Sequence, residues 1–385
     1  MTFRRLNVLF FCLIFLSNCA QESKSNSPKS KPNNVEIKER IQHSFSLSDY
    51  LSDNELLDAY VDSIYRTLDT QALIAQLIMP AAGKYGQSKQ IIDGLIKDQL
   101  IGGILMLNGT VNEFKSLIEE FNNVNLQLGS LPFLYSADAE PSLVNRKIVG
   151  STTVKKANEI DSISEVISVA NTISKDLNDI GINYNFSPVV DMSKNSTVGY
   201  RGFGKIPANI IPWSDAFIQA TQENNIIATA KHFPGHGLVS GDTHKSLQVI
   251  NGELKEVQNY PKLIENGLLS IMVAHIAIQN NKEYNTNGLP STCSKKIVTS
   301  LLRDSLDFKG LIVTDAMGMG GVVKVPNSSI KAIEAGCDIL LMPVDARKAH
   351  KEILEEYKKG NEGFRNTVSE SAKRIIRMKI CLGLI

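Results

Sequence analysis

Aromatic side chains are scarce in this chain of 385 residues: they make up 6% of it and include one tryptophan, Trp213. That scarcity argues against a surface lined with stacking platforms. A charge excess is missing too. Lysine and arginine total 41 against 40 aspartates and glutamates, so nothing suits a polyanionic partner and nucleic acid is disfavoured. Cysteine occurs five times but never at the spacing of a disulfide framework or a metal site. Cys293, Cys337 and Cys381 are widely scattered and read as small apolar filler. No Gly-x-Gly-x-x-Gly turn follows the first strand-like run, which weakens a dinucleotide-binding reading. Gly102-Gly103 precedes the apolar core of its strand and cannot serve as a phosphate loop. No cofactor and no metal are implied.

The N-terminus reads as an export signal. Arg4 and Arg5 make a basic start, and residues 8–16, which include Cys12's neighbours Phe11 and Leu13, are apolar but too few to span a bilayer. Leu16-Ser17-Asn18-Cys19 then resembles the cleavage box of a bacterial lipoprotein, in which the cysteine is lipidated and becomes the first residue. Asn18 departs from the usual Gly, Ala or Ser, so ordinary cleavage of residues 1–19 is the alternative. Residues 20–34 are rich in Ser, Lys, Asn and Pro and have too little apolar content to pack. The expectation is an exported protein with a flexible tether over residues 20–50. It would be held at a membrane by a lipid on Cys19 or left free in the periplasm or outside the cell.

After the tether a rhythm begins. Short apolar runs at residues 74–80, 101–107, 131–137, 184–190, 226–230, 268–274, 310–314 and 338–342 alternate with amphipathic helical stretches such as 111–128 and 159–180. Runs of this kind suit parallel strands buried on both faces. Eight in one series predict an α/β fold, a (β/α)8 TIM-type barrel forming a single catalytic domain over residues 51–385. In that fold functional groups gather where strands end. Asp138, Asp191, Lys231-His232, His275 and Asp315 each follow an apolar run, which supports both the barrel and an enzyme.

The densest signal is Lys231-His232-Phe233-Pro234-Gly235-His236-Gly237, followed by Asp242-Thr243-His244. Pro and Gly force a loop after the strand and hold Lys231 and His232 at the barrel mouth, where both can donate to hydroxyls or amides. Asp242 stands two residues before His244, near enough to orient its imidazole as a proton donor and acceptor. A metal held by His232, His236 and His244 is the competing reading, but the helical i, i+4 pair and any cysteine partner are missing. A loop whose histidines only satisfy backbone groups is the other alternative. His275 reads as structural. Asp138 and Asp315 can also be read as helix caps, and Arg146 and Arg201 as ordinary salt-bridging residues.

These residues resemble the signature of glycoside hydrolase family 3, in particular its β-N-acetylglucosaminidase branch, and the likeness runs from about residue 68 to 385. Gly310 to Met317 is similar to the family's nucleophile strand and Ile271-Met272-Val273-Ala274-His275 to the strand before it. Tyr200-Arg201-Gly202-Phe203-Gly204 resembles its arginine turn, and Phe186-Ser187-Pro188-Val189-Val190-Asp191 the segment preceding that turn. The resemblance implies a retaining exo-glycosidase acting on carbohydrate, cell-wall or chitin-type. Asp315 would be its nucleophile and His244, partnered by Asp242, its acid/base. Asp138, Arg146, Arg201, Lys231 and His232 would bind the sugar. β-Glucosidases and β-xylosidases of the family usually take their acid/base glutamate from a second domain, and none follows Ile385, which favours the N-acetylhexosaminide branch. A lipoprotein that binds sugar without turnover is the alternative from another class. The stretch Asp138-Ala139-Glu140-Pro141-Ser142 keeps the family's acidic pair but not its usual Gly-Gly, so Pro141 is expected to stiffen this loop and reshape the pocket.

The full chain made in a bacterial host should partition into the membrane fraction, and Cys19→Ser should move it to the soluble fraction. Equal partitioning of the two forms rules out the lipid on Cys19.

Overall fold

The computed structural model describes residues 45–192, 194–195 and 198–385. Cys12, Cys19, the export signal and the tether up to residue 44 lie outside the described residues.

Eight strands follow one another around a ring. β1 is Ile78–Met79 and, past Pro80, Ala81–Ala82; β2 is Gly103–Met106, β3 Leu134–Ala137 and β4 Tyr184–Asn185. β5 is Ile227–Phe233, β6 Ser270–Val273, β7 Leu311–Thr314 and β8 Leu340–Leu341. Each pairs in parallel with its successor from β1 to β7. β8 pairs with β1 through Ile78 and Met79, and a parallel bridge from Val313 to Ile339 joins it to β7. The strand order therefore follows the chain around a closed barrel. Every residue of β2, β3, β5, β6 and β7 is buried, which is why these runs are apolar without alternation.

Helices between the strands begin where the sequence supplies caps. Before Val111–Gln127, Thr110 Oγ1 accepts from Glu113 N–H (3.1 Å) while Glu113 Oε2 accepts from Thr110 N–H (2.8 Å). Ser162 caps Ile163–Ile180 by accepting from Glu165 N–H. Two short parallel pairs lie outside the ring: Gly109–Thr110 with Ile148–Val149, and Gln248–Asn251 with Ile276–Gln279.

Two expected boundaries are corrected. Residues 74–76 end the helix Thr70–Gln76, and the strand starts only at Ile78; one apolar run spans both, and hydrophobicity alone does not divide it. The expected tether overshoots, because Leu47 and Tyr50 are buried in the core. Arg377 fastens this stretch by donating to Tyr50 O and Ser52 O, each at 2.6 Å. The polar residues Ser46, Ser48 and Asp49 hide the apolar pair in a compositional reading. Cys293, Cys337 and Cys381 are buried free thiols, as apolar filler should be.

The end of the barrel opposite the strand termini that carry function is fastened by Asp338, which precedes β8. Its buried carboxylate accepts from Ile312 N–H (2.7 Å), Ser371 Oγ–H (2.9 Å) and Arg374 Nη1 (3.1 Å), and from Arg303. One side chain thus joins β7, β8 and the closing helix Glu362–Cys381. Removing one member of such a buried charge cluster leaves the others unpaired. Asp338→Ala should lower the unfolding free energy in urea by about 3–5 kcal/mol; a loss below about 1 kcal/mol would contradict this role.

Candidate active site

A cavity of about 530 Å³ opens at the C-terminal ends of the strands and is lined by Asp138, Arg146, Arg201, Lys231, His232, His244 and Asp315, among others. These are all the residues expected at the site except Asp242, which stands behind His244. A larger cavity of about 780 Å³ lies beside it and shares Arg146, but holds none of the other expected residues. The residues expected at the site therefore gather at the smaller one.

Successive residues of a strand point to opposite faces, so Lys231 and His232 should not both reach the cavity. A bulge resolves this. Lys231 is in register with Met272 and Phe233 with Val273, which leaves His232 as an extra residue in β5. The Lys231–His232 peptide is cis.

Beneath the cavity lies a cluster of charges. Lys231 Nζ donates to Asp138 Oδ1 (2.8 Å) and pairs with Glu140 Oε1 (2.5 Å). Arg201 clamps the same Glu140 with two bonds, from Nε (2.9 Å) and Nη2 (2.7 Å). Lys147 Nζ donates to Asp138 Oδ2 at 2.5 Å. Burial alone would push the Asp138 carboxyl up, but Lys147 and Lys231 hold it well below the usual carboxylate range. Burial of Glu140 is likewise outweighed, by Arg201 first and then Lys231, and its carboxyl comes down to about 2. The same carboxylates keep buried Lys231 charged against its own desolvation.

Asp315 follows β7, and its Oδ1 accepts the Ala316 N–H at 2.8 Å. Burial opposes its ionisation, yet the neighbouring histidines, His232 first, hold the carboxyl below its ordinary value. His244 Nδ1 donates to Asp242 Oδ1 (2.8 Å), which also accepts the His244 backbone N–H (2.9 Å). With Nδ1 so engaged, Nε2 is the nitrogen free to exchange a proton. His232 is oriented in the same manner: Nδ1 donates to the buried Asp191 Oδ2 at 2.6 Å, and Asp191 Oδ1 accepts from His236 N–H at 2.8 Å. His275 is buried between Thr292 and Ala316 O, and burial lowers its basicity, so it props the loop beside Asp315.

Several residues went unassigned in the sequence. Glu140 and Asp191 stand among the quoted motifs, but only the fold reveals that one holds Arg201 and Lys231 and the other His232. Lys147, next to Arg146, is the basic residue that meets Asp138, while Arg146 lies on the exposed wall. Glu256 carries no motif at all. Its buried carboxyl group accepts from Met192 N–H (2.6 Å), Gly237 N–H (3.1 Å) and Leu238 N–H (3.1 Å). Gly237 is needed there because a Cβ would lie 1.7 Å from Met192 O. Where Gly-Gly was expected, Ser142 Oγ–H donates to Tyr200 O (2.7 Å) and accepts from Ala157 N–H (3.0 Å), bracing the Asp138 loop against the arginine turn. Among the described residues no group of three or more His, Cys, Asp or Glu is placed to hold a metal ion.

The sequence profile described as the glycosyl hydrolase family 3 N terminal domain matches residues 68–378. A curated relative named beta-hexosaminidase A, from Pseudoalteromonas piscicida, is 28% identical over 323 residues, covering 74% of this chain and 54% of its own. A beta-hexosaminidase from Hydrogenovibrio crunogenus is 27% identical over 281 residues, covering 67% of this chain and 77% of its own. The chain thus spans about half the length of the first of these relatives. Among solved structures, a glycoside hydrolase family 3 beta-N-acetylglucosaminidase from Paenibacillus sp. superposes with a TM-score of 0.74 at 25% identity, covering 82% of this chain and 63% of that one.

The charge cluster has a pH signature. Glu140 falls from an ordinary 4.5 to about 2 in the folded protein, so on acidification the unfolded chain takes up this proton first. Its contribution to stability is full above the unfolded value and is lost as pH falls from about 4.5 towards 2. Melting temperature measured from about pH 6 down to about pH 3 should fall less steeply in Glu140→Gln than in wild type; parallel slopes would overturn this assignment.

Proposed function

Because this chain belongs to glycosyl hydrolase family 3, we propose that it is a retaining, exo-acting β-N-acetylglucosaminidase with Asp315 as nucleophile and His244–Asp242 as acid/base. The observation that carries this reading is that Asp315 and His244 line one cavity together with members of the Asp138–Lys231–Glu140–Arg201 cluster. Retention needs a carboxylate on one side of the anomeric carbon and a proton donor on the other. An Asp315 oxygen attacks that carbon as the glycosidic bond breaks, and His244 Nε2 passes its proton to the departing oxygen. Water then attacks the same carbon, His244 takes a proton from it, and the bond to Asp315 breaks. Asp242 stabilises the imidazolium at each stage.

Two features support the N-acetylhexosaminide over other sugars. The acid/base comes from a loop of the barrel itself, and the relatives' names agree with that sugar. Asp138, Lys231, His232, Arg201 and Arg146 present both acceptors and donors to hydroxyls and to an amide. Terminal N-acetylglucosamine on cell-wall or chitin-type fragments is the substrate proposed. Export and a lipid on Cys19 would set the enzyme at the cell envelope, where such fragments arise.

Purified protein should release 4-nitrophenol from 4-nitrophenyl β-N-acetylglucosaminide. Asp315→Asn should reduce kcat by at least about 10³-fold. His244→Ala should lose about 10²-fold on poor leaving groups and far less on activated ones, which need little protonation. A wild-type protein that binds N-acetylglucosamine but turns over no aryl glycoside would instead be a sugar-binding protein.

A further inference from the structure

The loop that leaves β5 carries Asp242 and His244 about ten residues from the nearest barrel strand, so what fixes it decides where the acid/base stands. Its near end is held by Glu256 through Gly237 and Leu238 N–H. Its middle is held by Asn195 Nδ2, which donates to Val239 O (2.6 Å) and Gly241 O (3.0 Å). Its far end docks on the loop that follows Asp315. Gly321 N–H donates to Thr243 O and Gly320 N–H to His244 O, both at 3.0 Å. A Cβ on Gly320 would lie 2.3 Å from Lys245 O, so this docking needs the bare backbone.

One side-chain contact ties the loop to itself. His236 Nε2 lies 3.0 Å from Thr243 Oγ1, and both residues are buried. Thr243 is the middle residue between Asp242 and His244, and it turns inward where its two neighbours remain partly exposed. Burial, and then the adjacent His232, lower the His236 imidazole to about 4, so it is neutral over the range in which glycosides are hydrolysed. Among the described residues His236 Nδ1 has no hydrogen-bond partner. Nε2 is therefore the ring nitrogen through which the neutral imidazole and the Thr243 hydroxyl share a hydrogen bond.

We propose that His236 is a positioning residue for the acid/base pair: through Thr243 it pins the centre of the 242–244 segment and so holds His244 on the cavity that Asp315 lines. The role rests on the reading of His244 as acid/base, and it differs from that of His232, which itself lines the cavity. The His236 side chain lies behind that wall and reaches the acid/base segment through Thr243.

Thr243→Val removes the hydroxyl at nearly constant volume, and Thr243→Ser keeps it. Two measurements apply to the full chain. The first is hydrogen exchange of the Gly320 and Gly321 amides, which report docking without any need for activity. The second is kcat/KM on an unactivated substrate, N,N′-diacetylchitobiose, against the activated 2,4-dinitrophenyl β-N-acetylglucosaminide. Thr243→Val should speed exchange at these amides by about 10-fold. It should cost about 10-fold or more on the disaccharide and less than about 3-fold on the dinitrophenyl glycoside, with Thr243→Ser restoring both. Unchanged exchange in Thr243→Val overturns the pinning, whatever the activities. Faster exchange with equal losses on the two substrates overturns the positioning role. His244→Ala on the same pair of substrates separately judges the acid/base reading: if it too lacks leaving-group selectivity, that reading has failed and not the pinning.

Discussion

Lys231 is an ammonium ion with almost no access to solvent, and the rest of the site is arranged around keeping it charged there. Desolvating such a group costs several kcal/mol, which only close and well-bonded partners offset. Asp138 and Glu140 supply that offset, and each needs its own second cation, Lys147 for one and Arg201 for the other. The result is a chain of alternating charges from Lys147 to Arg201 in which each of the three inner members is held by two others and Arg201 by two bonds to Glu140. Side chains that would rotate freely in water are thereby fixed before any ligand arrives. For recognition of a polyhydroxylated ligand this matters more than the net attraction, because fixed donors and acceptors lose no entropy on binding.

The same chain shows how surroundings assign different work to one residue type. The four imidazoles at the barrel mouth are set to different work by their neighbours. His232 is aligned by a buried carboxylate and reaches the cavity. His244 is aligned by a carboxylate too, but on an exposed loop where protons can be exchanged. His236 and His275 are buried without a paired carboxylate, so desolvation keeps them neutral and they serve as props. Position relative to solvent and to Asp191 or Asp242 decides each case, and residue type alone does not.

Much of this was legible along the chain because it is local. A parallel strand buried on both faces must be an apolar run, and a residue that ends such a run falls at the barrel mouth. That is how Asp138, Lys231, His232 and Asp315 could be placed together. Asp242 and His244 are two residues apart, so their pairing needs no tertiary argument. The boundaries were less legible. Leu47 and Tyr50 sit among polar residues and read as tether, and their burial depends on Arg377, more than 300 residues away.

What the sequence determined by itself is the barrel rhythm, the end of the barrel at which function gathers, and the residue types gathered there. What only the tertiary structure decided is which charges pair. Lys147 rather than Arg146 meets Asp138, Glu140 holds Arg201 and Lys231, and Glu256, which belongs to no motif, anchors the loop that leaves β5. The physical reason is range. Hydrophobic period and turn chemistry act over a few residues, whereas an ion pair or a buried hydrogen bond is set by distance in space, and within the site it joins positions up to 93 residues apart.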